Sequence, residues 1–208
     1  FFVLDEADRM LDMASSRMQA HREILPKKRQ TLLFSATIPA EIADLAEKML
    51  HEPEHISVTP SAKPADKIEQ QLYFVEKQEK REFSPDIIRQ SNVHQVLVFT
   101  RTKHGADRVA RDLNRAGIKT KSIHGDKSQN QRQRALADFK ECKIAVLVAT
   151  DIAARGIDIN DLPLVINFDL PNIPETYVHR IGRTGRAGQE GTAISFCDRS
   201  ERPYLKDI

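Results

Sequence analysis

The sequence contains no apolar run near the roughly 18 consecutive residues that a membrane-spanning helix needs. It also has no basic-then-apolar leader of the secretory kind. Both absences lead to the expectation of a cytoplasmic protein without a membrane partner. Its two cysteines, Cys142 and Cys197, make neither a zinc spacing nor a disulfide framework. They are expected to be reduced thiols of the core or surface. No charge of one sign dominates, since 32 basic and 30 acidic residues leave a net charge of +2. Mean charge therefore does not announce a nucleic-acid partner, and the distribution of arginines matters more. The phosphate loop G-x-x-x-x-G-K-[ST] is missing as well. The glycines stand at 105, 117, 125, 156, 182, 185, 188 and 191, and no pair has that motif's spacing. What is present is a 208-residue chain, 40% hydrophobic and 30% charged, as in globular proteins. That length suits one domain plus a piece, or two small ones. A chain opening on Phe1 is expected to begin inside a longer protein.

Short apolar runs alternate with amphipathic stretches. The pattern predicts strands at 1–5 and 31–35, a helix at 39–50 carrying Ile42, Leu45, Ala46 and Met49 at helical spacing, and a short strand near Ile56–Val58. Residues 59–66, TPSAKPAD, read as a linker between a unit at 1–58 and a second at 67–208. In the second unit, strands are predicted at 68–75, 96–101, 118–123, 144–150, 164–168 and 192–197. Helices are predicted at 103–116, 128–140 and 174–181, with the start of another at the end of the chain. Pro85 is placed at the first position of a short helix, 85–91, with Ser84 as its N-cap. Such alternation implies an α/β fold, with parallel sheets flanked by helices on both faces and functional groups at the carboxyl ends of the strands.

Five segments carry candidate chemistry. In FFVLDEAD (1–8), a strand delivers Asp5 and Glu6 to a sheet edge. An aspartate there can hold Mg²⁺ through water, and the neighbouring carboxylate can activate a water. The competing role for Asp5 or Asp8 is to cap the following helix. In SAT (35–37), the hydroxyls can reach the Asp8 carboxylate or cap the helix that follows. In IHGDKSQNQRQRAL (123–136), Gly125 leaves backbone open to a phosphate. There, Ser128 and Gln131 fit a capping box. Arg134 lies one turn beyond Gln131 on the same face, while Arg132 is read as a solvated charge. In VLVATDIAARGID (146–158), Thr150 ends a strand, Arg155-Gly156 turns sharply and Asp158 projects from a loop, or is an ordinary surface acid. In HRIGRTGRAG (179–188), Arg180, Arg183 and Arg186 recur among glycines. Such guanidinium groups can clamp phosphate or simply form a solvated basic helix end.

These segments together are similar to the DEAD-box RNA helicases. The resemblance is carried by VLDEAD (3–8), SAT (35–37), VLVFTRTKHGAD (96–107), HGDKSQNQRQRALADF (124–139), VLVATDIAARGID (146–158) and YVHRIGRTGR (177–186), in the family's order and spacing. It covers essentially the whole chain, and within the family it looks like the bacterial RhlE-type branch. The resemblance implies ATP and Mg²⁺ as cofactors and RNA as partner. It also implies a near-complete second RecA-like domain and the C-terminal part of a first. By that likeness, Asp5 serves Mg²⁺ through water and Glu6 activates the hydrolytic water. Asp8, Ser35, Thr37 and His179 couple the nucleotide to domain closure. Gly156 and Asp158 meet the nucleotide, and Arg183 and Arg186 reach its γ-phosphate. Arg101, Gly125, Gln131, Arg134 and Thr150 face the RNA backbone, without strong sequence preference.

The sequence departs from the family in three places. It opens at the family's second ATPase motif, residues 11–26 lack the usual Gly-Phe, and Ser84-Pro85 interrupts a segment that is usually helical. Three functions follow as expectations. The first is an ATP-dependent RNA helicase of which this piece alone hydrolyses no ATP. The second is a non-enzymatic module that binds RNA backbone, and the third, disfavoured by the DEAD tetrad, is a DNA-directed helicase.

Overall fold

The computed structural model describes residues 1–8, 25–26, 28–35, 37–57, 68–154, 157, 159–185 and 191–208. The chain divides into two compact units, Phe1–Thr59 and Pro60–Ile208. The expected linker and the atypical stretch at 11–24 lie outside the described residues.

In the first unit, β1 (Phe2–Leu4) pairs in parallel with β2 (Thr31–Leu33), and α1 (Ala40–Met49) follows. Its buried apolar side chains are Leu4, Ala7, Ile42 and Met49. Among the described residues, Val3, Phe34 and Ile38 are each more than half exposed. The strand predicted near Ile56 is not formed at the described residues 56–57. Ile56 is exposed, and among the described residues no strand pairs with it to complete a ladder. Apolar character alone cannot create a strand without a partner for its backbone.

The second unit is a six-stranded, all-parallel sheet. Its strands are β3 (Ile68–Phe74), β4 (Val96–Phe99), β5 (Thr120–Ile123), β6 (Val146–Ala149), β7 (Leu164–Asn167) and β8 (Gly191–Cys197), in spatial order β3-β8-β7-β4-β6-β5. β4, β6 and β7 are buried at every position, as continuous apolar strands covered on both faces should be. One face packs Val96, Val98, Val148 and Phe196 beneath α2 (Lys80–Gln90) and α3 (Lys103–Arg115). The other packs Leu97, Leu147 and Val165 against α4 (Gln129–Lys140) and the short α5 (Asp151–Ala154). On that second face α6 (Pro174–Ile181) buries Ile181 against Ile68 and Ala193. A 3₁₀ turn at Arg199–Glu201 and α7 (Arg202–Asp207) close the described chain. The predicted end of α3 is observed, with Val109, Ala110 and Leu113 buried and Gly117 in the left-handed region at φ 82°.

The segment around Pro85 corrects the sequence expectation. The helix begins at Lys80, not at Pro85, and Ser84 is not its N-cap. The Ser84 hydroxyl instead donates back to the Lys80 carbonyl at 2.5 Å. Burial of Lys80, Ser84, Pro85, Ile87 and Ile88 holds the helix in place through the proline. Tertiary packing therefore outweighs the roughly 3 kcal/mol an interior proline costs.

Candidate functional site

The first unit presents candidate residues at the end of β1. The Asp5 side chain is exposed and its Oδ1 accepts the Glu6 N–H at 2.9 Å. Glu6 adopts φ 52°, a left-handed conformation that turns the chain sharply at the strand end. The turn delivers Asp8 to β2's exit. Asp8 Oδ2 accepts both the Thr37 N–H at 3.1 Å and the Thr37 hydroxyl at 3.0 Å. The Ser35 hydroxyl accepts the Asp8 N–H at 3.0 Å and donates to the Thr37 carbonyl at 2.7 Å. Thus Asp8, Ser35 and Thr37 form one closed knot. Thr37, not Ser35, supplies the hydroxyl that meets the carboxylate. Neither residue caps α1, whose N-cap is Pro39 with no side-chain hydrogen bond.

A lone exposed carboxylate such as Asp5 suits Mg²⁺, which keeps most of its waters and takes one or two protein oxygens. No cage of three or more His, Cys, Asp or Glu side chains exists among the described residues.

In the second unit the candidates gather at the carboxyl ends of the strands. Register places Ile123 beside Ala149, so Gly125 and Thr150 follow neighbouring strand ends. The Thr150 N–H donates to the Ile123 carbonyl at 3.3 Å, and Thr150 is buried as α5 begins. Gly125 is exposed, and an added Cβ would meet nothing within 4 Å. The predicted capping box is present: the Ser128 hydroxyl accepts the Gln131 N–H at 3.3 Å and Gln131 Oε1 accepts the Ser128 N–H at 3.0 Å. Gln131 and Arg134 both stand exposed on α4. His179 lies on α6 and is half-buried. Arg183 follows α6, and its Nη1 donates to the Ile157 carbonyl at 3.2 Å. Gly156, Asp158 and Arg186 lie outside the described residues.

Arg101 is exposed but tethered, with Nη2 donating to the Leu170 carbonyl at 2.9 Å and to Glu201 at 3.0 Å and its guanidinium 5.1 Å from the Tyr204 ring centroid. Arg132 is not a fully solvated charge. It is half-buried against α5, its Nη2 reaching the Ala153 carbonyl at 3.4 Å, because α4 lies across that helix's exit.

Arg180 does not stand in one row with Arg183. Its side chain is 2% exposed and forms a fork on Asp151 at 2.7 and 2.8 Å. It also donates to Asn167 Oδ1 at 3.2 Å and to the Asp169 carbonyl at 2.6 Å, and lies over the Phe99 ring. It therefore ties α6 to α5 and to the ends of β4 and β7. The helical period held the signal, since Arg180 shares a face with Tyr177 and Ile181, which pack on the sheet. A second network escaped sequence reading. Lys80, 1% exposed, meets Glu201 at 2.5 Å, Asp198 at 3.4 Å and the Phe168 carbonyl at 3.0 Å. Each of these charges is paired, as burial requires.

The model for the helicase conserved C-terminal domain matches residues 79–188, and that for the DEAD/DEAH box helicase matches residues 1–45. The first matched segment lies within the second unit and holds most of its parallel sheet, and the other holds the Asp8–Ser35–Thr37 knot. This chain belongs to the DEAD-box helicase family, and its second unit is a RecA-like helicase C-terminal domain. It is 44% identical over 209 residues to the DEAD-box ATP-dependent RNA helicase CshA of Bacillus subtilis, covering 99% of this chain and 42% of that protein. The Listeria monocytogenes ATP-dependent RNA helicase CshA is 45% identical over 207 residues, covering 99% of this chain and 40% of that protein. The chain thus spans about two fifths of the length of these relatives. Among solved structures, a DEAD box protein from Methanococcus jannaschii matches with TM-score 0.66 and 42% identity, over 99% of this chain and 56% of that one. Saccharomyces cerevisiae Dbp5 bound to RNA and ADP BeF3 matches with TM-score 0.80 and 31% identity, over 100% of this chain and 57% of that one. The RhlE-type branch expected from the sequence is not supported, since these bacterial relatives carry the name CshA.

Proposed function

We propose that the protein to which this chain contributes is an ATP-dependent RNA helicase that unwinds or remodels short RNA duplexes, closer to the CshA relatives than to an RhlE-type enzyme, and that acts in the cytoplasm. The chain supplies residues 1–58 as the C-terminal part of a first RecA-like domain and 67–208 as the second, joined by a linker at 59–66. The observation that carries this reading is the Asp8–Ser35–Thr37 knot directly behind Asp5 and Glu6. It ties the acids of one strand end to the next strand, so that a change at the nucleotide reaches the backbone beyond it. Mg²⁺, when bound with ATP, neutralises charge on the phosphates. Asp5 would hold its water shell, Glu6 would orient a water, and Arg183 and Arg186 would bring positive charge to the terminal phosphate, while Gly156 and Asp158 would meet the nucleotide. His179 joins the coupling group. Gly125, Gln131, Arg134 and Thr150 take the RNA backbone, with Arg101 joining them only when it leaves Glu201.

No phosphate loop is present in this sequence, so the 208-residue chain hydrolyses no ATP at a useful rate. RNA-stimulated phosphate release well above background from the purified chain would overturn that. The gathering of Gly125, Gln131, Arg134 and Thr150 in the second unit alone favours RNA binding by that unit without chemistry. Gly125→Ala separates ligand approach from folding, because nothing within the chain crowds position 125. The variant is expected to melt with the unmodified chain yet bind single-stranded RNA more weakly at low salt. Unchanged affinity would remove the turn from the RNA surface.

A further inference from the structure

The turn that carries Gly125 is held by a carboxylate that lies outside it. Asp107 stands on α3, and its Oδ1 accepts the Ser122 hydroxyl of β5 at 2.6 Å. The same oxygen meets the Lys127 ammonium at 3.0 Å and His124 Nε2 at 3.0 Å. His124 is 3% exposed, and its Nε2, 3.0 Å from that oxygen, completes no aligned hydrogen bond among the described residues. Its Nδ1 accepts the Asp126 N–H at 3.3 Å. With Nδ1 as acceptor, the neutral ring carries its proton on Nε2, the nitrogen on the Asp107 side. A second pin comes from the same helix, where Lys103 meets Asp126 at 2.7 Å. Gly125 is thus clamped on both sides while its own outer face stays open. Ser128, which caps α4, follows at once, so the helix that presents Arg134 starts from the same clamp.

We propose that Asp107 is a positioning residue for RNA-backbone binding, fixing the turn 124–127 and the start of α4 so that Gly125 and Arg134 meet the phosphates as one preformed surface. The inference rests on reading this turn as an RNA contact. Asp107 is held ionised: burial works against its charge, but the bonds from Ser122, His124 and Lys127 outweigh that and keep the carboxyl well below its ordinary range.

Electrostatics and positioning predict opposite signs. An acid beside an RNA path repels phosphate, so removing its charge alone would tighten binding. Losing the clamp would weaken binding.

The experiment uses the 208-residue chain with fluorescein-labelled oligouridylate at low salt, with amide exchange and imidazole ¹⁵N shifts measured in parallel. Asp107→Asn is expected to weaken RNA binding about tenfold, the loss of one charge-assisted hydrogen bond. Exchange at Gly125 and Asp126 should rise while β4 amides hold, and His124 should leave the Nε2–H form. Asp107→Glu, which keeps charge and acceptor, should recover most of the affinity. Equal or tighter binding by Asp107→Asn, with unchanged turn exchange, overturns the proposal. If Asp107→Asn does not fold, Ser122→Ala removes one arm of the clamp. A smaller loss of affinity with faster turn exchange then supports the proposal, and no change in either overturns it. An unmodified chain that binds no RNA would sink the RNA reading itself. Exchange and tautomer would then still decide whether Asp107 holds the turn.

Discussion

The two units use the same strand-end chemistry on very different foundations. In the first, Asp5, Glu6 and the Asp8 knot sit on a two-stranded sheet in which, among the described residues, Leu4 is buried while Val3 and Leu32 are exposed. In the second, the candidate residues sit on six strands with apolar packing on both faces, and buried ion pairs lock the helices to the sheet. A two-stranded sheet has little independent stability in water. The difference teaches that a functional knot such as Asp8–Ser35–Thr37 can be locally complete where the core beneath it is thin.

Amide exchange offers the largest test of this comparison. Amides of β4 and β6 should exchange at least about a thousandfold more slowly than those of β1 and β2, as global opening differs from local opening. Equal protection in the two units, or equal protease resistance, would break it.

The buried fork supplies the next effect. Arg180→Ala strands Asp151 and should destabilise the second unit by about 3–5 kcal/mol. All three tyrosines, Tyr73, Tyr177 and Tyr204, lie in this unit, so their fluorescence in urea reports it alone. A loss below about 1 kcal/mol, the scale of a surface pair, would show that the fork does not brace the sheet.

Acid should act through the same unit. Asp112 is held below its ordinary value chiefly by the hydrogen bond from Arg81. Asp107 and Asp198 are also depressed, although burial opposes it, through bonds from Ser122 and Ser200 respectively and from nearby cations. Folded values below unfolded ones give stability that is complete above the unfolded carboxylate range. That stability is lost as pH falls below about 4 toward the folded values. A urea midpoint for the tyrosine signal that does not fall in this window would contradict the pairing.

The smallest effect sharpens the role of α4. Ser128→Ala removes the capping box and should cost about 1 kcal/mol in the same urea experiment.

Much of the α/β order was readable because period and punctuation agree. The runs VLVF and VLVA become fully buried strands, and the 174–181 helix has the bounds its pattern predicts. The capping box and the Gly117 stop were local and therefore visible. The helix across Pro85 was not, because its stability comes from burial against distant strands rather than from propensity. Arg180 and Arg183 look alike in the repeat, yet Arg180 lies within α6 and is buried in a fork, whereas Arg183 follows the end of that helix and is half-buried. Arg132 reads as a surface charge until α4 and α5 are seen side by side.

The sequence by itself determined the strand–helix alternation, the family and the residue types at each strand end, since these follow from hydrophobic period and short motifs along the chain. Only the tertiary structure decided which charges turn inward, that Thr37 rather than Ser35 meets Asp8, and that Asp107 clamps the Gly125 turn. Those pairings join residues from 15 to 121 positions apart. No local pattern encodes a distance closed only when the sheet assembles.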